Sequence, residues 1–188
     1  MAITINGNGS ISGYTPTTIS GTLSDTNMAP GSIIQVQHVK DTTSSAGYQQ
    51  STSGAWEDLG SLTLNITPAA TSSKILVLAH TCFSETYDYG IWFRVLRDST
   101  PLVGATSGSR TALGFGNTTA GNYLDDKCVS ADFSYVDEPS ANTQLTYKIQ
   151  AVSRYSPQQW AYNRSHDGAD NASQGQGVST LTVMEIKG

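Results

Sequence analysis

The chain has 188 residues, enough for one sandwich-sized core and too few for two large domains. Only 13% of the residues are charged and 37% are hydrophobic, so Ser, Thr, Asn, Gln and Gly fill the surface, and hydroxyls and amides rather than charge keep it hydrated. The net charge of −5 and the scatter of the ten basic residues exclude a phosphate-binding surface of the kind nucleic acids require, and no apolar run reaches the roughly 20 residues needed for membrane insertion.

Residues 1–30 alternate isolated Ile or Leu with Gly, Ser, Thr and Asn and contain no run that can form a core. Met1-Ala2-Ile3-Thr4-Ile5 lacks the basic and apolar regions of a secretory signal, so synthesis in a host cytoplasm is expected. A segment with no core of its own becomes ordered only by packing on something else. We therefore expect an N-terminal attachment arm or stem whose anchoring side chains are Ile3, Ile5, Ile11, Ile19 and Leu23, separated by turns at Gly7, Gly9, Gly13 and Gly21. The alternative is an arm lying across its own domain.

Strand patterns begin after Pro30-Gly31 and define a second unit, residues 31–188. In Ser32 to Lys40, Ile34, Val36 and His38 share one face, with Ile33, Gln35, Gln37 and Val39 on the other. Asp41 to Gly54 is expected to be a loop, and Trp56 and Leu59 lead into a half-buried strand carrying Leu62, Leu64 and Ile66, closed by Pro68. Lys74 to Phe83 and Tyr89 to Arg97 fit central strands, and the turn Asp98 to Pro101 makes the latter half of a hairpin with Leu102-Val103. Gly104 to Lys127 is expected to be a long irregular connection with one strand at most. Cys128 to Val136, Thr143 to Val152 and Val178 to Lys187 complete about eight strands, and no window has a helical period. The expected fold is all-β, a jelly-roll-like antiparallel β-sandwich with an extended N-terminal arm; a barrel is the alternative.

The chemistry-bearing residues form no catalytic constellation. His38, His80 and His166 fall in or near three different elements, without the spacing of metal ligands, and His38 and His80 are expected to be structural. Cys82 and Cys128 lack the C-x-x-C spacing of zinc or redox sites and are expected to be separate buried thiols. Glu57-Asp58, Asp125-Asp126 and Asp137-Glu138 sit at turn-like positions where carboxylates cap backbone N–H groups. Asp167-Gly-Ala-Asp170-Asn171 lacks the ligand spacing of a calcium loop, and Gly7 to Gly9 and Gly114 to Gly116 do not sit between a strand and a helix as phosphate loops do. We expect no enzyme activity, no metal and no cofactor.

Arg154 to Gly177 is the exception to this plain texture. Tyr155, Trp160 and Tyr162, interleaved with Asn163, Arg164, His166 and Asp167, combine flat apolar faces with planar hydrogen-bonding groups, the chemistry that binds sugar rings or protein surfaces. The competing reading makes Trp160 and Tyr162 part of a short edge strand buried against a neighbouring subunit. Tyr87, Asp88 and Tyr89 form a weaker loop of the same type.

The ordered set GSIIQVQ, then AWEDLGSLTLNITPAATSSKILVLAH, FRVLRDSTPLVG, TQLTYKIQAVS and finally STLTVMEIKG resembles a family of bacteriophage virion proteins found in tail fibres and related surface appendages. The likeness rests on an L-x-x-x-I-T-P block followed by S-S-K-I-L-V, an R-D-x-T-x-L-x-G hairpin and a terminal T-L-x-x-M-E-I, and spans Gly31 to Lys187. The resemblance implies a homotrimeric jelly-roll head on an N-terminal stem, located in the virion, with the arm bound to other virion proteins and the head exposed to a host glycan or receptor. The function expected first is a short trimeric tail fibre or spike for host adsorption. A capsid decoration protein held by its arm is the alternative, and a polysaccharide-degrading spike the third.

Overall fold

Apolar–polar alternation becomes eleven β-strands and no helix among the described residues, which in this computed structural model are 28–44, 49–51, 55–85, 90–104, 108, 112–117, 128–153, 158–165, 172 and 174–188. The strands are β1 (Ile33–Asp41), β2 (Gln49–Ser51), β3 (Glu57–Ile66), β4 (Lys74–Glu85), β5 (Ile91–Arg97), β6 (Thr100–Leu102), β7 (Phe115–Asn117), β8 (Val129–Asp137), β9 (Leu145–Ser153), β10 (Gln158–Tyr162) and β11 (Ser179–Ile186). They form two antiparallel sheets packed as a sandwich. One runs β1-β11-β4-β10-β2, with β8 also on β4; the other runs β3-β9-β5-β6, with β7 also on β5. Along β4, β11 pairs with residues 74–80 and β10 with 83–85, while β8 takes the opposite edge over residues 75–83.

The all-β, jelly-roll-like sandwich expected from the sequence is the observed architecture. Three strands stand beyond the eight or so counted from the sequence. β2 lies inside the anticipated 41–54 loop, β7 is the single strand allowed for in 104–127, and β10 pairs with both β4 and β2, so it is not an edge strand. The arm residues Ile3, Ile5, Ile11, Ile19 and Leu23, and the Tyr87-Asp88-Tyr89 loop, lie outside the described residues.

Inward residues at period two build the core. Leu181 and Val183 on β11, Ile75 and Val77 on β4, Ile149 and Tyr147 on β9, and Ile91, Phe93 and Val95 on β5 are fully covered. Phe93 sits at the centre, 5.0 Å from Phe83, 5.3 Å from Phe115 and 6.3 Å from Trp160 by ring centroids. The flanking glycines let Phe115 reach this cluster: a Cβ at Gly116, where φ is 151°, would lie 2.6 Å from the Ile91 carbonyl oxygen. The G-F-G pattern is thus explained by close strand packing.

The sandwich has two unlike ends. Connections at one pole are short, Thr67–Ser73, Asp98–Ser99 and Glu138–Gln144, and the chain enters there: Gly31 N donates to the Lys187 carbonyl, Lys187 N to the Ser32 carbonyl, and Lys187 Nζ to the Met28 carbonyl at 2.5 Å. At this pole the terminal M-E-I motif meets the P-A-A-T segment, because the buried Glu185 carboxylate accepts a bond from Ala69 N at 2.7 Å. The strand ends joined by residues 42–48, 86–90, 118–128, 154–157 and 163–178, of which 118–128 and 163–178 are the longest, face the other half of the molecule.

Candidate functional site

The far half contains the segment that the sequence singled out, and the structure rearranges its roles. Tyr155, His166 and Asp167 lie outside the described residues. Trp160 and Tyr162 alternate on β10, so both project between the sheets, where they are 1% and 4% exposed. Their ring faces are covered by this chain's own core, not by a neighbouring subunit, and are closed to a sugar. Burial pushes the Tyr162 phenol far above its ordinary value.

Asn163 is a keystone rather than a surface ligand. It is fully buried and ends β10 in the left-handed region at φ 57°, a conformation that Asn tolerates better than most residues. Its Nδ2 donates to the carbonyls of Asp41 at 2.9 Å and Thr43 at 3.2 Å, and its Oδ1 accepts from Ser179 Oγ at 2.6 Å. Its main chain donates to the Cys82 carbonyl at 2.9 Å and accepts from Gly177 N at 3.0 Å. Ser179 Oγ in turn accepts from Cys82 N at 2.9 Å. One amide therefore joins the end of β1, the middle of β4, the exit of β10 and the entry of β11. Asp41 closes the cluster: burial alone would raise its pKa, but bonds from Thr43 and Ser61 outweigh that and hold the carboxyl below its ordinary value.

Arg164 leaves the keystone half-buried. It bridges to Gln176, its carbonyl accepts from Ser84 Oγ at 3.0 Å, and Ser165 N donates to the Gly175 carbonyl at 2.8 Å. Residues 163–165 and 174–177 therefore form a pinned base for the segment between them.

The cysteines beside this base are joined. Cys82 and Cys128 form a disulfide with a Cα–Cα distance of 6.1 Å, which corrects the expectation of two separate thiols. The bond ties the entry of β8 to β4 where Cys82 pairs with Ser130. Gly177 packs on it so closely that a Cβ there would lie 2.2 Å from Cys82 Sγ.

The acids expected to cap turns have other partners. Asp137 of β8 reaches the opposite sheet, accepting from Arg97 Nη1 at 2.5 Å and Tyr147 hydroxyl at 2.7 Å, while Glu138 pairs with Lys74 at 2.7 Å. On the outer face of the second sheet, Asp58 accepts from Lys148 at 2.8 Å and Gln150 at 2.6 Å, which hold its carboxyl low. Gln150 accepts two bonds from Arg94, whose guanidinium lies 4.2 Å over the Trp56 ring. This ladder ties its polar groups to one another. Asp125 and Asp126 lie outside the described residues.

Among the described residues no three His, Cys, Asp or Glu side chains gather where a metal ion could be held. No helix there is long and apolar enough to cross a membrane. His38 bonds Thr182 Oγ1 at 2.8 Å, and His80 lies 2.7 Å from Asp132; sequence alternation puts His80 on the outer face of β4 but carries no sign of the carboxylate opposite it.

No protein-family model matches the chain, and no curated protein matches it. Among solved structures, that titled "Structure of infectious bursal disease virus Gx strain" is similar over 83% of this chain at 13% identity and a TM-score of 0.39. This chain spans 43% of the length of the chain it matches there.

Proposed function

We propose that the protein is a bacteriophage virion structural component, a short homotrimeric tail fibre or spike whose β-sandwich head mediates host adsorption and whose N-terminal arm holds other virion proteins. The polarity of the head carries this reading. The arm joins the sandwich at the pole of short turns, beside Lys187, whereas the 118–128 and 163–178 connections begin and end in the other half, and loops held by a rigid scaffold are the usual place for a partner to bind. A head mounted on a stem needs this arrangement. The neutral, hydroxyl- and amide-rich surface suits a permanent assembly, and the order of motifs from Gly31 to Lys187 resembles phage appendage proteins. The role is structural rather than catalytic.

Light scattering on the full chain tests the assembly: a trimer at micromolar concentration is expected, and a monomer would count decisively against it. A capsid decoration protein uses the same polarity with the arm laid on capsid subunits. Deleting residues 1–29 separates the two, because release from tail-less capsids would identify decoration and loss from tails a fibre. Turnover of host polysaccharide by the purified protein would replace both with a degrading spike.

A further inference from the structure

The outer face of the first sheet carries a second feature that the assembly reading does not use. Three strands place Thr180, His80 and Asp132 side by side in one row, and Thr182, Leu78 and Ser134 in the next. A shallow depression of about 380 Å³ opens over them, lined by Leu78, His80, Asp132, Ser134 and Thr180 together with the Ala79 and Phe133 positions. That volume falls in the usual range for small-molecule sites. One pleat further along β4, the Cys82–Cys128 disulfide locks β8 in register and so fixes Asp132 opposite His80.

The dyad has a defined polarity. His80 Nδ1 lies 2.7 Å from Asp132 Oδ1, so in the neutral imidazole the carboxylate selects the tautomer with the proton on Nδ1, and Nε2 is then an acceptor. The Asp132 side chain is 73% exposed and has a second oxygen. The depression therefore combines an imidazole acceptor, a carboxylate acceptor, two hydroxyls and one aliphatic patch at Leu78. Its complement has several O–H donors and an apolar C–H face, and carries no negative charge.

From this we infer that the depression over His80 and Asp132 binds one ring of a neutral saccharide. The site is distinct from the 154–177 segment, and its occupancy is measured on the isolated protein, independently of where the protein sits in a particle. The bonds are few and partly exposed, so the affinity for one ring is weak, on the order of millimolar.

The test is a titration of the full chain with methyl β-galactoside, methyl α-glucoside and N-acetylglucosamine, following by two-dimensional NMR the His80 ring and, in every variant, the Leu78 methyls and the Thr180 amide, with glucuronate and ethylammonium as charged controls. At least one neutral glycoside is expected to shift the His80 ring resonances saturably, with glucuronate inactive. His80→Ala and Asp132→Ala should each weaken binding by about tenfold or more, and Ser134→Ala by a few-fold. Val36→Ala, on the same face but two pleats from the row that holds His80, should change nothing. Melting curves check folding, and His80→Gln replaces His80→Ala if the latter is unfolded. The inference fails if no neutral glycoside moves the ring, if glucuronate or ethylammonium alone binds, or if both His80 variants bind as well as the parent.

Discussion

The two ends of the sandwich are held by polar clusters of opposite design. At the pole where the chain enters, Asp137 from one sheet takes Arg97 and Tyr147 from the other, so a charged pair and a phenol clamp the layers together. Burial works against the Arg97 charge, but the bond and charge of Asp137, with Tyr147 and Asp98 beside it, together outweigh that, and burial together with the Asp137 carboxylate drives the Tyr147 phenol far above its ordinary value. In the far half the central group is the neutral amide of Asn163, and most of its partners are backbone carbonyls and amides. A clamp between sheets resists their separation, whereas a keystone in the chain path fixes where a loop begins and ends. The molecule places the clamp where the chain enters the sandwich and the keystone where the 163–178 connection begins and ends.

That contrast can be broken at either end. The largest loss is expected for Asp137→Ala, which strands a largely buried guanidinium and a buried phenol and should cost about 3–5 kcal/mol in urea unfolding. Cys128→Ala follows. The disulfide spans 46 residues of sequence, and its removal should cost about 2–4 kcal/mol. A reductant should lower the parent's stability by the same amount and leave the variant unchanged.

Asn163→Ala removes two donors and an acceptor from a site with no exposure, for an expected loss of about 2–3 kcal/mol. Asn163→Gly loses the same bonds but accepts φ 57° without strain, so it should be about 1 kcal/mol more stable than the Ala variant. If the two variants are equal, the left-handed backbone is not part of the keystone.

The smallest effect is acid-dependent. The Asp41 carboxyl is held below its ordinary value of 3.8 in the folded protein, so the folded state binds fewer protons there and gains stability at higher pH. That contribution is complete above the ordinary value and is lost as pH falls through the depressed one. Asp41→Asn should therefore flatten the acid limb of the stability profile below about pH 4 and leave its neutral portion parallel to the parent.

Sequence alone revealed the strands that carry their own pattern and missed those made by pairing. β11 alternates covered and half-covered residues from Ser179 to Ile186, and its apolar period is legible without a partner. β2 is Gln-Gln-Ser, with no apolar residue to mark it, and exists by pairing with β10. The same limit applies to the polar groups. Trp160, Tyr162 and Asn163 have the composition of a binding loop, and only the register of β10 against β4 turns them inward. Asp137 sits at the end of a strand like any turn acid, and its reach to Arg97 depends on how the two sheets stack. Cys82 and Cys128 become neighbours through the β4–β8 register, which neither cysteine's local sequence encodes.

The proposed role requires one orientation of the head. Electron cryomicroscopy of the assembled particle, at a resolution that separates the two poles, should find the Ser32–Lys187 pole directed toward the particle and the half containing Asn163 facing outward. Heads attached through the half containing Asn163, or particles that carry no such heads, would contradict it.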